Sequence, residues 1–97
     1  MARVNDLSGT ILSGGVAQVA VPYQGDGLEV TIQNRSVGSL FINTTGVATL
    51  TATGGSFEIK PLGVLAFTPN QGQGTPEISI IGATTGQEYT LKYEVFT

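Results

Sequence analysis

No window of eleven residues in this chain combines a helical spacing of apolar side chains with freedom from glycine and proline. A helix interior loses roughly 1 kcal/mol at each glycine and about 3 at each proline, so this punctuation excludes helices as the main element. What stands between the breaks is short and alternating. In residues 28–34, Leu28, Val30 and Ile32 alternate with Glu29, Thr31 and Gln33. That is the period of a strand with one buried and one wet face. Residues 39–43 carry Leu40 and Ile42 in the same phase, and the linker Arg35-Ser36-Val37-Gly38 is short, polar and closed by glycine. The pattern predicts a hairpin with Ile32 opposite Leu40 and Val30 opposite Ile42. In that register Phe41 lies beside Thr31 on the outer face, an aromatic turned to solvent.

The rest of the chain repeats the theme. Residues 16–22 read as a strand stopped by Pro22, and Gln24-Gly25-Asp26-Gly27 reads as a turn. Residues 47–53 form a threonine-rich weak strand or extended loop. Residues 56–60 alternate with Phe57 and Ile59 inward. Residues 64–68 are continuously apolar and are expected to be covered on both sides. The segment 69–76, with glycine and glutamine between two prolines, is an exposed loop. Residues 77–81 form a further buried strand. Residues 87–96 close the chain with Tyr89, Leu91, Tyr93 and Val95 on one face and Thr90, Lys92, Glu94 and Phe96 on the other. Strands at spacings near ten residues predict an all-β fold: a small antiparallel β-sandwich of jelly-roll or Greek-key type with seven to eight strands. Residues 1–15, with isolated aliphatics among glycines, are an N-terminal arm or edge strand, and residues 16–97 the sandwich domain.

Ninety-seven residues make one domain. A domain this size buries about 60–70% of the surface its unfolded chain exposes, so association with further copies or a larger partner is a natural source of stability. The net charge is −3, with Arg3, Arg35, Lys60 and Lys92 scattered along the chain. A nucleic-acid binder concentrates positive charge to displace counterions, so nucleic acid is not expected as a partner. No segment approaches the roughly 20 apolar residues of a membrane helix. No apolar run follows Arg3, so a signal peptide is not expected and synthesis in a cytoplasm is. Asn34-Arg35-Ser36 and Asn43-Thr44-Thr45 match the glycosylation sequon by chance on this reading.

Candidate chemistry is sparse. The sequence has neither histidine nor cysteine, which removes Ser–His and Cys–His nucleophile pairs and the usual transition-metal sites. Asp6, Asp26, Glu29, Glu58, Glu77, Glu88 and Glu94 fall mostly in turns or at outward strand positions, where a solvated carboxylate is ordinary. There is no phosphate-binding glycine motif. No cofactor, metal or catalytic residue is expected. Tyr89 and Tyr93 belong to the core, whereas Tyr23 stands before a turn.

The segments Ile32-Gln33-Asn34, Leu40-Phe41-Ile42-Asn43, Gly46-Val47-Ala48 and Ile80-Ile81-Gly82-Ala83-Thr84-Thr85-Gly86-Gln87-Glu88-Tyr89 resemble, in this order, short β-rich structural proteins of tailed bacteriophages. Some of those decorate or cement the capsid and others sit in tail or fibre assemblies. The resemblance spans residues 9–93 and implies a virion component: a homo-oligomer, dimer or trimer, on the outer head shell. It would bind the major capsid protein or another virion protein and stabilise the shell without catalysis. The contact residues expected on that basis are Val4, Leu7, Ile11 and Leu12 of the arm and the outward aromatics Phe41 and Phe96. The alternative is a receptor- or carbohydrate-binding module of a tail or head fibre, reading its ligand with residues 23–27 and 69–76.

Overall fold

The computed structural model describes residues 2–21, 28–44, 46–51, 56–67 and 77–96. They contain strands β1 (Ala2–Asp6), β2 (Gly9–Thr10), β3 (Gln18–Val21), β4 (Leu28–Asn34), β5 (Leu40–Asn43), β6 (Ser56–Ile59), β7 (Val64–Phe67), β8 (Ile78–Gly82) and β9 (Glu88–Phe96). One sheet runs β1-β9-β4-β7, with β2 also on β9, and the other runs β3-β8-β5-β6. Asp6 stands opposite Lys92 and Gly9 opposite Tyr89. The register is continuous across the gap, so β1 and β2 are one strand interrupted at Leu7 and Ser8. At the interruption Ser8 Oγ accepts from Leu91 N at 3.0 Å.

The pairing is nested. β1 and β2 pair with β9, β3 with β8, β4 with β7, and β5 with β6, all antiparallel. The chain is therefore one long hairpin, folded over so that successive pairs alternate between sheets, with β5 and β6 at its tip. This nesting is the jelly roll.

The hairpin expected between residues 28–34 and 39–43 does not form. β4 pairs with β7 and β9, while β5 pairs with β6 and β8 in the opposite sheet. Val30, Ile32, Leu40 and Ile42 are all buried as the alternation demanded, but they meet across the core instead of side by side. Phe41 accordingly stands opposite Glu58 and Ile81, not beside Thr31. Residues 47–51 form no strand. Val64, expected to be covered, is 59% exposed, because β7 is a sheet edge. Phe57 shares its face with Ile42 through the register but is 58% exposed on the other edge strand, β6.

The core lies between the sheets and comprises Ala20, Val21, Val30, Ile32, Leu40, Ile42, Ile59, Ile78, Ile80, Tyr89 and Leu91, with Ile11 closing one end and Leu7, Leu65 and Tyr93 packed against it. A bulge between Val19 and Val21 lets the consecutive Ala20 and Val21 both be buried.

Candidate functional site

Two surfaces stand out, and both follow from how polar residues are placed. The first is the end of the sandwich where residues 11–17, 35–39, 60–63 and 83–87 connect the strands. Asn34 ends β4 in the phase of Val30 and Ile32, so its amide is forced into the interior, where it must find partners. Its Nδ2 donates to Gly38 O and Ile59 O, both at 2.8 Å, and its Oδ1 accepts from Ser36 N at 2.8 Å. Gln87 is the second lock. Its Nε2 reaches Ser36 Oγ at 3.0 Å and the carbonyls of Gly38 and Ser39 at 3.2 Å, and its Oε1 accepts from Thr84 N at 2.9 Å. Gly14 N donates to Thr85 Oγ1, Gly15 N to Gly82 O and Gly86 N to Ile11 O, each at 2.8 Å. The four connections thus form one hydrogen-bonded platform.

Aliphatic side chains project from this platform. Leu12 is 76% exposed, Val37 100% and Leu62 74%, each on a different connection. Leu62 also has φ of 64°, a left-handed conformation that a branched residue rarely adopts. It follows Pro61 in a turn closed by Gly63 N donating to Lys60 O at 2.8 Å, the pattern of a type II turn, which normally has glycine where Leu62 stands. An exposed leucine held in a strained backbone is a feature the fold itself does not require.

The second surface is the outer face of the β1-β9-β4-β7 sheet. A groove of about 360 Å3 is lined by Glu29, Thr31, Gln33, Val64, Thr90, Lys92 and Tyr93. The corresponding face of the other sheet is covered in part. There Asn43, Ser56 and Ser79 stand in register on three adjacent strands, and residues 46–49 cross over them. Ala48 N donates to Ser79 Oγ at 3.0 Å, Thr49 N to Ser56 Oγ at 3.1 Å and Gly46 N to Asn43 Oδ1 at 2.9 Å.

The expected contact residues are not brought together. Ile11 is a core residue, 1% exposed, and is withdrawn as a contact, because the segment that carries it pairs along β9 of its own chain. Leu7 packs against the core and Phe41 is partly buried within its sheet. Leu12 is exposed on the platform. Val4 stands opposite Glu94 in the β1–β9 ladder, and the side chains of Val4 and Phe96 lie outside the described residues, as do residues 23–27, with Tyr23, and 69–76. Val37 and Leu62, absent from the expected set, carry a weak sequence signal: each is a lone aliphatic in a turn. Asn34 and Asn43 are fully buried with their amides engaged, so neither sequon can accept a glycan in the folded chain.

Two ionisable groups are perturbed. Hydrogen bonds from Ser8, aided by the charge of Lys92, hold the Asp6 carboxyl below the ordinary value. Burial pushes the Tyr89 phenol up, against the opposing effect of a hydrogen bond with Gln18. Among the described residues no group of three His, Cys, Asp or Glu stands together as a metal site would require.

No protein-family model matches the sequence, and no curated protein matches it. Solved structures do share its fold. One is from Bacillus endospore appendages that form disulfide-linked pili: identity is 11%, the TM-score 0.56, and the match covers 99% of this chain and 88% of that one. Another is a sugar phosphate isomerase of the cupin superfamily from Silicibacter pomeroyi, 14% identical with a TM-score of 0.53, covering 99% of this chain and 51% of that chain. The chain spans about half the length of the isomerase. At these identities the likeness is one of fold, and it agrees with the β-sandwich.

Proposed function

We propose that this chain is a non-enzymatic virion protein of the capsid-decoration kind, which docks as a dimer or trimer on the outer surface of a phage head. The observation that supports it best is the platform of Leu12, Val37 and Leu62, three exposed aliphatics on connections already locked together. A rigid apolar surface loses little conformational entropy when it is covered, so more of the burial energy reaches the affinity. The major capsid protein is the partner that the sequence resemblance implies. Binding the mature shell and not its precursor would stabilise the mature state by mass action.

The test is to mix the purified protein with heads of the phage that encodes it, sediment them, and count bound copies per capsid subunit. Saturation at a fixed ratio, together with a raised shell melting temperature, is the expected result. Replacing Leu12, Val37 and Leu62 together by serine should abolish co-sedimentation while leaving the circular dichroism spectrum unchanged. Absence of the wild-type protein from sedimented heads would overturn the proposal, and undiminished binding by the triple variant would remove the platform from it.

A further inference from the structure

The open groove on the β1-β9-β4-β7 sheet differs from the platform in chemistry. Register places Gln33 opposite both Val64 and Thr90, and Thr31 opposite both Ala66 and Lys92, with Glu29 two residues before Thr31. The polar groups therefore stand on a grid spaced about 4.8 Å across strands and roughly 7 Å along them. Among the described residues, no hydrogen bond engages the side chains of Glu29, Thr31, Gln33, Thr90 or Lys92. The contrast with the opposite sheet is direct. There the polar row of Asn43, Ser56 and Ser79 is consumed by residues 46–49.

We infer that this groove is a binding site for a neutral saccharide. Its volume of about 360 Å3 lies at the small end of the roughly 300–1,000 Å3 of small-molecule sites. Thr31, Gln33 and Thr90 can each donate and accept, Glu29 only accepts and Lys92 only donates. That mixture suits sugar hydroxyls, which do both. Lys92 is the one cation of the lining and stands opposite Asp6, with Glu29 also in the lining, so the groove holds no surplus positive charge to draw an anion. Val64, 59% exposed at the edge of the groove, offers apolar surface to the C–H face of a pyranose. A fatty or aromatic ligand would leave the five polar groups desolvated and unpaired.

The site is separate from the platform, so its test is separate from shell docking. Fluorescently labelled protein is screened on an array of bacterial and animal glycans, and 15N-labelled protein is titrated with maltotriose, chitotriose, mannotriose and the best array ligand. The expected result is saturable amide shifts concentrated at residues 29–33, 64–66 and 90–93. Gln33→Ala combined with Thr90→Ala should weaken binding about tenfold or more, the loss expected for one to two hydrogen bonds. Val37→Ser should bind as wild type does. No glycan binding anywhere on the array, shifts centred on the loop platform, or tighter binding of inorganic phosphate or ADP than of any neutral glycan would each overturn the inference.

Discussion

Replacing Leu62 by glycine should make the protein more stable and its docking weaker, a combination that few substitutions produce. Leu62 has φ of 64° and is 74% exposed. Left-handed backbone costs a non-glycine residue roughly 1–2 kcal/mol. Glycine relieves that strain, and its freer unfolded chain takes back about 0.4–1 kcal/mol. Little burial is lost, and the Gly63 N to Lys60 O bond that closes the turn is untouched. The net gain is about 0.5–1 kcal/mol, or roughly 2–8 °C in a domain of this size. Docking should move the other way. Covering an exposed leucine contributes about 1.5–3 kcal/mol, so affinity for the shell should fall by about ten- to a hundredfold per site. Thermal unfolding by circular dichroism reads the first effect and co-sedimentation with heads the second. Leu62→Asn, which tolerates the same conformation, should fall between the two proteins in stability. A lowered melting temperature for Leu62→Gly would refute the strain, and unchanged sedimentation would refute the contact.

Three further expectations concern the scaffold. Gln87→Ala removes the amide that joins two connections, 35–39 and 83–87, and leaves Thr84 N and the carbonyls of Gly38 and Ser39 without it; urea unfolding should show a loss of about 2–3 kcal/mol, and a loss under about 0.5 would mean water substitutes for the side chain. The Asp6 carboxyl titrates below its unfolded value, so its contribution is complete above the unfolded value and fades as pH falls through the folded one. Wild type should therefore lose stability below about pH 4 more steeply than Asp6→Asn, and parallel acid limbs would count against the Ser8 contacts. The Tyr89 phenol is raised by burial, so its contribution is complete below the free phenol value and is lost as pH climbs through the folded one. Alkaline unfolding should be blunted in Tyr89→Phe, and an identical alkaline limb in both proteins would show that Tyr89 does not govern it.

The strands and their buried faces were legible in the sequence because period-2 alternation is a local property. Val30, Ile32, Leu40, Ile42, Tyr89 and Leu91 all face inward, as their spacing requires. Partners were not legible. A short glycine-ended linker between two alternating runs suits a hairpin, yet it equally suits a crossing between two packed sheets, since both arrangements bury the same side chains. The choice falls to long-range pairing, in which β9 takes both β4 and β1, and residues 28–43 alone hold no trace of that. Ile11 shows the same limit: an isolated aliphatic among glycines reads as unpaired, yet residues more than seventy positions later lie against it, with Ile11 N donating to Gln87 O at 2.8 Å.

Asn34 follows Leu28, Val30 and Ile32 in strict alternation, a polar residue in an apolar phase. Such a residue cannot remain buried unless local groups satisfy it. Its partners, Ser36, Gly38 and Ile59, turn the chain out of one sheet and fix the connection that carries Val37. Gln87 does the same from the far end of the chain, and Gly82 must lack a side chain because a Cβ there would meet Leu40 Cδ2 at 2.9 Å and collide with Gln87. Asn34 and the stretch from Gly82 to Gln87 thus hold together two of the four connections that make the platform. The proposed docking rests on this combination: four connections locked together and Leu12, Val37 and Leu62 left in water. If those aliphatics are idle, serine at all three should leave both the melting temperature and the outcome of co-sedimentation with heads unchanged.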